Sequence, residues 1–520
     1  MVGTVPDAAE PGDGPPRGEL LLTVDVGTSG ARAAVFDLAG RRLLEVRRPY
    51  PISTPQPGWA EQDARRWRGE ALAALHGVIR SLGPGSRVLA IGLTGQVPSV
   101  VGLDVRDEPV GPGLMYRDNR ATGEAEAFRA RFGDAAIHRR TGHLPAAFHI
   151  GPKLLWLRAH RPAEFGRAVR FLQPRDLAAL ALTGEAATDG SHAAATLLFD
   201  LRARRWDDEL FAAFDLDPAS LPPIRGAWEV VGDLRPALVR RFGLPAGVAV
   251  PVVLGGADSQ ACALGAGVVE PGPVSEMAGS STCLNAAVAA PLPALAITHY
   301  THVVPGPWCT ETGINTTGAA VGWVARLLYG GRGGRPGSAD FARLDAEAAG
   351  VPAGADRVLA LPVLGDGERT DADLRGAITG LSERHGRAVI ARAVLEGVAF
   401  TIRDQLDLLR EAGAPVDELR VSGGDTRLAT WNRVKADVVG VPVRRVPGDA
   451  ATTGVAMLAG LGAGAYRDPA EAIERCVHLE PALDPDPAAR DRYAEAFAAW
   501  RGLAASISVR RAPTADRREG

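Results

Sequence analysis

The sequence predicts an α/β protein of two domains around a cleft. Strand-like and helix-like apolar periods alternate along the chain, and two stretches, 20–37 and 274–289, repeat one design of strand, small polar turn and strand. At 520 residues the chain is also too long for a single core. With 46% apolar and 23% charged residues it has the composition of a globular protein. A formal net charge of -3 leaves no basic footprint for nucleic acid. No apolar run nears the ~20 residues that cross a bilayer, so no membrane partner is expected. The N-terminus lacks a signal pattern, which predicts a cytoplasmic protein.

The four cysteines show no CxxC or Cys/His spacing, which argues against zinc and against a disulfide framework. The only lysines, Lys153 and Lys435, do not follow glycine, so a Walker-A loop is excluded. If the protein handles ATP, it must hold phosphates through backbone amides, hydroxyls and metal. G-x-S-x-G and the protein-kinase motifs are missing too.

In chain order, residues 1–19 read as a disordered leader. Leu22, Val24 and Val26 alternate as a buried strand, residues 33–36 return, and 41–48 form a third strand. Asp63 is placed to cap a helix carrying Trp67, Leu72, Leu75, Val78 and Ile79. Strands 88–93 and 100–103 flank Gln96, Val97, Pro98 and Ser99, a candidate substrate loop at a strand end. Residues 149–160 and 174–183 read as helices, 188–200 as a small-residue loop, and 207–214 and 234–242 as peripheral helices. Strand 252–254 leads through Gly255 and Gly256 to a helix opening at Asp258. A boundary near Glu270 precedes the second hairpin. Helices at 316–328, 339–349 and 388–411, a strand at 358–361 and surface loops at 330–337 and 365–376 follow. Strand 418–422, a turn at Gly423 and Gly424, a strand near 440–445 and helices at 450–461 and 487–506 complete the chain, with 508–520 as a disordered tail.

Four places carry chemistry. Gly27, Thr28, Ser29 and Gly30 bring backbone N–H groups and two hydroxyls to one point, which suits an anion such as a nucleotide phosphate or, alternatively, an ordinary hairpin turn. Asp25 would sit beside that anion with a divalent cation between them. Asp258, at a strand end facing a cleft with little bulk nearby, either accepts a proton from a sugar hydroxyl attacking phosphorus or simply caps its helix. Arg117, Asp118, Asn119 and Arg120 suit a polyhydroxylated ligand or a solvated helix cap. Gly423 and Gly424 suit nucleotide phosphate or ribose at a helix start. Lys153, taken alone, reads as a surface lysine more readily than as a ligand contact.

The motifs VDVGTSGARAAVFD, GWAEQD, GPKLLW, GGADSQACALGAG, ARAVLEGVAF, SGGDTRLATWNRVKADVVG and TTGVAMLAG together resemble the FGGY carbohydrate kinases over about residues 20–464. The resemblance implies two actin-like, RNase H-like domains, 20–269 for sugar and catalytic base and 270–507 for nucleotide, closing on ATP and Mg2+. It implies Asp258 as catalytic base, Asp25 with Asp258 near Mg2+, and Gly27, Thr28, Ser29, Gly279, Ser280 and Ser281 as phosphate-turn residues. Gly423, Gly424 and Asp425 would lie in the adenosine region, and Gln96, Val97, Pro98, Asp118, Asp258 and Ser259 would face the sugar. The implied reaction moves the γ-phosphoryl of ATP to a primary hydroxyl of a ketopentose, D-xylulose first. Ribulose, erythritol or a gluconate-like acceptor, or a silent sensor, are its rivals, and a homodimer is compatible with it. The family's Gln-Met-His-Gly is here Gln96, Val97, Pro98 and Ser99, its Trp-Asn-Asp-Gly-Arg is residues 116–120, and its second-domain Gly-Thr-Ser-Gly is residues 279–282. The sugar-reading parts depart more than the catalytic parts.

Overall fold

In the computed structural model, residues 15–330, 336–365, 367–368 and 374–508 are described. Two six-stranded sheets dominate among them. The first contains β1 (Glu19–Val26), β2 (Gly30–Phe36), β3 (Arg42–Pro49), β4 (Arg87–Gly95), β5 (Val230–Asp233) and β6 (Pro251–Val253), ordered β5-β6-β4-β1-β2-β3. The second contains β7 (Gly272–Ala278), β8 (Thr282–Val288), β9 (Thr298–Thr301), β10 (Trp308–Ile314), β11 (Val416–Ser422) and β12 (Val443–Arg445), ordered β9-β10-β8-β7-β11-β12.

The duplicated hairpins therefore start two sheets of one design. In each, the hairpin strands pair antiparallel, a third strand continues antiparallel, and two later strands join parallel on the other side. Apolar strand residues bury on helices, as for α1 (Ala64–Arg80). Asp63 caps it by accepting the Arg65 N–H at 3.0 Å, and Trp67, Leu75, Val78 and Ile79 face inward. The second sheet carries α8 (Arg387–Glu411), after the shorter helices α2 (Ile150–His160), α3 (Pro174–Thr183), α4 (Gly190–Ala194), α5 (Asp258–Gly265), α6 (Gly318–Leu328) and α7 (Ser338–Ala349). Val394, Val398, Ile402, Leu406 and Leu409 of α8 lie in the core, the face that its 3.6-residue period marks.

The two halves meet along α5 and α10 (Ala450–Gly462), the latter following α9 (Ala429–Val439). A Cβ on Gly265 would lie 1.9 Å from the Ala450 carbonyl oxygen, and one on Gly454 would lie 1.9 Å from that of Ala261. Only glycine permits this backbone contact. Although it follows the boundary near Glu270, α10 lies on β1 and β4 of the first sheet.

Some expectations need correction. Residues 16–19 are tied down: Gly83 N–H and Ser86 Oγ donate to the Pro16 carbonyl at 2.8 Å, Arg87 N–H donates to Gly18, and Glu19 opens β1. The leader's residues 1–14 lie outside the described residues, as do 509–520 of the tail and most of the loops at 330–337 and 365–376. The loop expected at 188–200 contains α4, because the buried Asp189 carboxylate accepts the Ser191 and His192 N–H groups.

Candidate active site

β1 and β2 put Asp25 opposite Arg32 in register, and the side chains pair, Arg32 Nε to Asp25 Oδ2 at 2.7 Å. Arg32 Nη1 reaches Asp449 Oδ2 at 2.5 Å, on the residue that caps α10. One guanidinium thus joins the first hairpin to the end of the second half. Arg32 and Asp449 escaped the sequence reading, although a four-residue turn after Asp25 fixes a register that would have found Arg32.

Asp258 is the first residue of α5, not its cap; Ala257 holds that position and makes no side-chain capping bond. The Asp258 carboxylate accepts the Ser259 N–H at 2.9 Å. Burial pushes its pKa up to about 7, and the Asp25 charge adds to the rise. Burial likewise raises Asp25, with Arg32 opposing. Burial is thus the main cause of both rises, and Arg32 is the cation already paired with Asp25. Among the described residues no group of three or more His, Cys, Asp or Glu side chains is spaced to hold a metal. The donor set nevertheless fits Mg2+ entering with a nucleotide, since that ion takes one or two carboxylates and completes its shell with phosphates and water.

A buried network fixes the strand end before Asp258. Arg175, with no exposed side-chain surface, donates Nη1 to the Leu254 and Gly255 carbonyls at 2.8 and 2.9 Å and pairs with Asp189 at 2.8 Å and Asp176 at 3.0 Å. Asp189 also holds Ser191 Oγ, which accepts the Ala257 N–H at 2.9 Å. Thr94 Oγ1 donates to the Gly256 carbonyl at 2.8 Å. Ser259 meets the second sheet instead of open cleft: its hydroxyl bonds Glu311 and lies 3.4 Å from Asn285 Oδ1.

The two turns are exposed at Ser29 and at Gly279, Ser280 and Ser281, while Gly27 and Thr28 are half-buried. The second turn rests on the start of α6, whose Thr317 and Ala319 N–H groups donate to the Ser280 carbonyl at 3.1 Å. Gly423, at φ +112°, lies against that hairpin: a Cβ there would be 1.9 Å from the Ala278 carbonyl oxygen. The structure therefore brings the Gly423–Gly424 turn beside Gly279. Gly424 is exposed, and the side chain of Asp425 lies outside the described portion.

The substrate-loop positions carry other bonds. Gln96 is buried, and its Nε2 donates to Gln62 Oε1 at 2.8 Å and the Gly27 carbonyl at 3.3 Å. Val97 is half-buried and Pro98 buried. Asp118 is fully buried and accepts the Ala60 N–H at 2.6 Å and Arg120 Nη2 at 2.7 Å, while Arg120 lies 3.7 Å from the Trp59 ring centre. Asp118 and Arg120 thus pair with each other inside the protein, while Arg117 and Asn119 are exposed. Lys153, expected at the surface, has no exposed area and donates to the Pro98 carbonyl at 3.1 Å and the Met115 carbonyl at 2.7 Å. Burial lowers its pKa to about 7. Lys153→Met should leave the Pro98 carbonyl unpaired, the Met115 carbonyl keeping the Asp118 N–H at 3.0 Å, and cost about 1–3 kcal/mol, read as a lower denaturation midpoint.

Residues 20–265 match the N-terminal domain of the FGGY family of carbohydrate kinases, and residues 275–463 match its C-terminal domain. A xylulose kinase of Escherichia coli strain K12 is 30% identical over 485 residues, covering 91% of this chain and 96% of that protein. A glycerol kinase of Gloeobacter violaceus is 33% identical over 465 residues, covering 87% and 90%. The crystal structure of xylulose kinase from Rhodospirillum rubrum superposes with a TM-score of 0.86 at 32% identity, covering 94% of this chain and 99% of that one. With two sheets of one strand arrangement and both domains of the family matched along the chain, the chain belongs to the FGGY family of carbohydrate kinases.

Proposed function

We propose that this carbohydrate kinase transfers the γ-phosphoryl of ATP to a primary hydroxyl of a ketopentose, with D-xylulose giving D-xylulose 5-phosphate. The observation that carries the reading is Asp258, a carboxylate at the start of α5 whose pKa, pushed up to about 7 by burial and by the neighbouring Asp25 charge, matches a general base at neutral pH. The sugar hydroxyl gives its proton to Asp258 as its oxygen attacks the γ-phosphorus, the bond to the bridging oxygen breaks, and ADP leaves. The N–H groups of residues 28–29 and 280–281 meet the phosphate charge that a P-loop lysine would otherwise meet, those of Gly27 and Gly279 being donated within their own turns. Asp25 and Asp258 would hold Mg2+, which when bound neutralises charge on the phosphates. Gly423 and Gly424 let the adenosine side of the nucleotide approach the backbone. Closure of the halves excludes water and limits ATP hydrolysis.

A second reading has its own support. Val97 and Pro98 stand where the family carries Met and His, and the Gln96 amide is committed to the first turn. A polyol or hexonate acceptor is therefore the rival, and the glycerol kinase relative is consistent with it. The purified protein, given ATP, Mg2+ and a panel of D-xylulose, D-ribulose, erythritol, glycerol and gluconate, should release ADP with the highest kcat/KM on D-xylulose. A higher value on another acceptor moves the assignment to that acceptor. No acceptor-dependent ADP would leave the sensor reading.

A further inference from the structure

The first turn offers an unusual bonding pattern. Its first three carbonyls are taken from outside the turn, Gly27 by Tyr50 Oη at 2.6 Å and Gln96 Nε2 at 3.3 Å, Thr28 by Gln62 Nε2 at 2.8 Å, and Ser29 by the Tyr50 N–H at 3.3 Å, while Gly30 accepts the Gly27 N–H at 3.1 Å. The donors form one cluster, because Gln96 Nε2 also donates to Gln62 Oε1, which in turn accepts Trp67 Nε1 at 2.8 Å. Tyr50, Gln62 and Gln96 are all buried. Across a trans peptide the C=O and the following N–H point in opposite directions. Holding the Gly27 and Thr28 carbonyls on the Tyr50 side therefore turns the Thr28 and Ser29 N–H groups the other way. Among the described residues neither of these N–H groups donates to the protein.

The second turn solves the same problem differently. There the Gly279 and Ser280 carbonyls accept backbone N–H groups of Thr317, Gly318 and Ala319 at the start of α6, each at 3.1 Å. In one half the backs of the peptides rest on a helix; in the other they rest on three side chains, Tyr50 and Gln96 from the ends of the sheet strands beside the hairpin and Gln62 from outside that sheet.

We infer that Tyr50, Gln62 and Gln96 are positioning residues that hold the Gly27–Thr28 and Thr28–Ser29 peptides with their N–H groups aimed at a polyphosphate. The inference rests on the proposed kinase reading, and it gives Gln96 a task other than reading the sugar. Two side chains can be altered with little change of volume. Tyr50→Phe removes the donor to Gly27, and Gln62→Glu keeps the acceptor for Trp67 and Gln96 while replacing the donor to Thr28 with an oxygen.

The test measures ATP and adenosine binding by calorimetry, with kcat and the sugar KM, on wild type and both variants after their denaturation midpoints are recorded. Each variant should bind ATP about tenfold more weakly and lose kcat by at least tenfold, with adenosine affinity and sugar KM unchanged and the midpoint lowered but the fold kept. Tyr50→Phe is the milder change and keeps the test decisive if Gln62→Glu folds poorly. ATP affinity and kcat within twofold of wild type in a folded Tyr50→Phe would overturn the inference. Equal weakening of ATP and adenosine would overturn it as well, because it marks a general disturbance. If wild type binds ATP but phosphorylates no acceptor, the kinase reading falls while the contrast between ATP and adenosine still decides the role of the three side chains.

Discussion

Asp258→Asn should fold and bind ATP while losing phosphotransfer by about 100- to 10,000-fold, the range over which a positioned general base acts. Wild-type kcat/KM should fall below a pH near 7, where burial and the neighbouring Asp25 charge place the Asp258 pKa, because the protonated acid cannot accept the hydroxyl proton. That limb should vanish in the variant. Stability should move the opposite way. A carboxyl whose folded pKa lies above its ordinary 3.8 favours the folded state at low pH and loses that contribution as pH rises through about 7. At pH 8 the asparagine variant should therefore be the more stable protein, by on the order of 2 kcal/mol, with the gap closing towards pH 4. Denaturant titrations at both pH values read this directly. Turnover retained in the variant would remove Asp258 from the mechanism.

Arg175→Leu should be among the most damaging single changes outside the reacting groups. It strips the partner from Asp189 and Asp176, whose side chains are no more than 2% exposed, and frees the Leu254 and Gly255 carbonyls. Removing one member of a buried ion pair costs about 3–5 kcal/mol, since the remaining charge is left without water or counter-charge. Burial alone would raise the Asp189 pKa, yet Arg175 and His192 outweigh it and hold the group well below its ordinary value. Its stabilising contribution is accordingly present above about pH 4 and is lost as pH falls further. The variant should show a lower denaturation midpoint and reduced kcat, because Ala257 and Asp258 follow directly on the strand end that Arg175 fixes. A wild-type midpoint would show that the Asp189 charge has another route to compensation.

The contrast between these two sites shows what could be read before any coordinates. The hairpins, the Asp63 cap, the α8 face and the Asp258 strand end are written in local patterns: periods of 2 or 3.6 residues, and small residues where a strand meets a helix. The Arg175 network is not local. Apart from the adjacent Asp176, its partners are separated along the chain, and Asp189 sits in a run of small residues that forms two two-residue strands and the five-residue α4. Lys153 misled for a related reason: a lone cation in an apolar helix ordinarily extends to water, whereas here two backbone carbonyls from residues 98 and 115 meet it inside the protein. Asp118 and Arg120 were legible as a cluster of charge, but not as one that satisfies itself beneath Trp59. Asp25 was legible and Arg32 was within reach, since strand register follows from turn length.

The backbone-to-backbone seam at Gly265 and Gly454 has a mechanical consequence. With no side chains interposed, it can serve as a fulcrum, and Asp258 lies on the same short helix as Gly265. A small rotation about that axis would swing the outlying hairpin tips through the longer arc while the proton acceptor stays almost still.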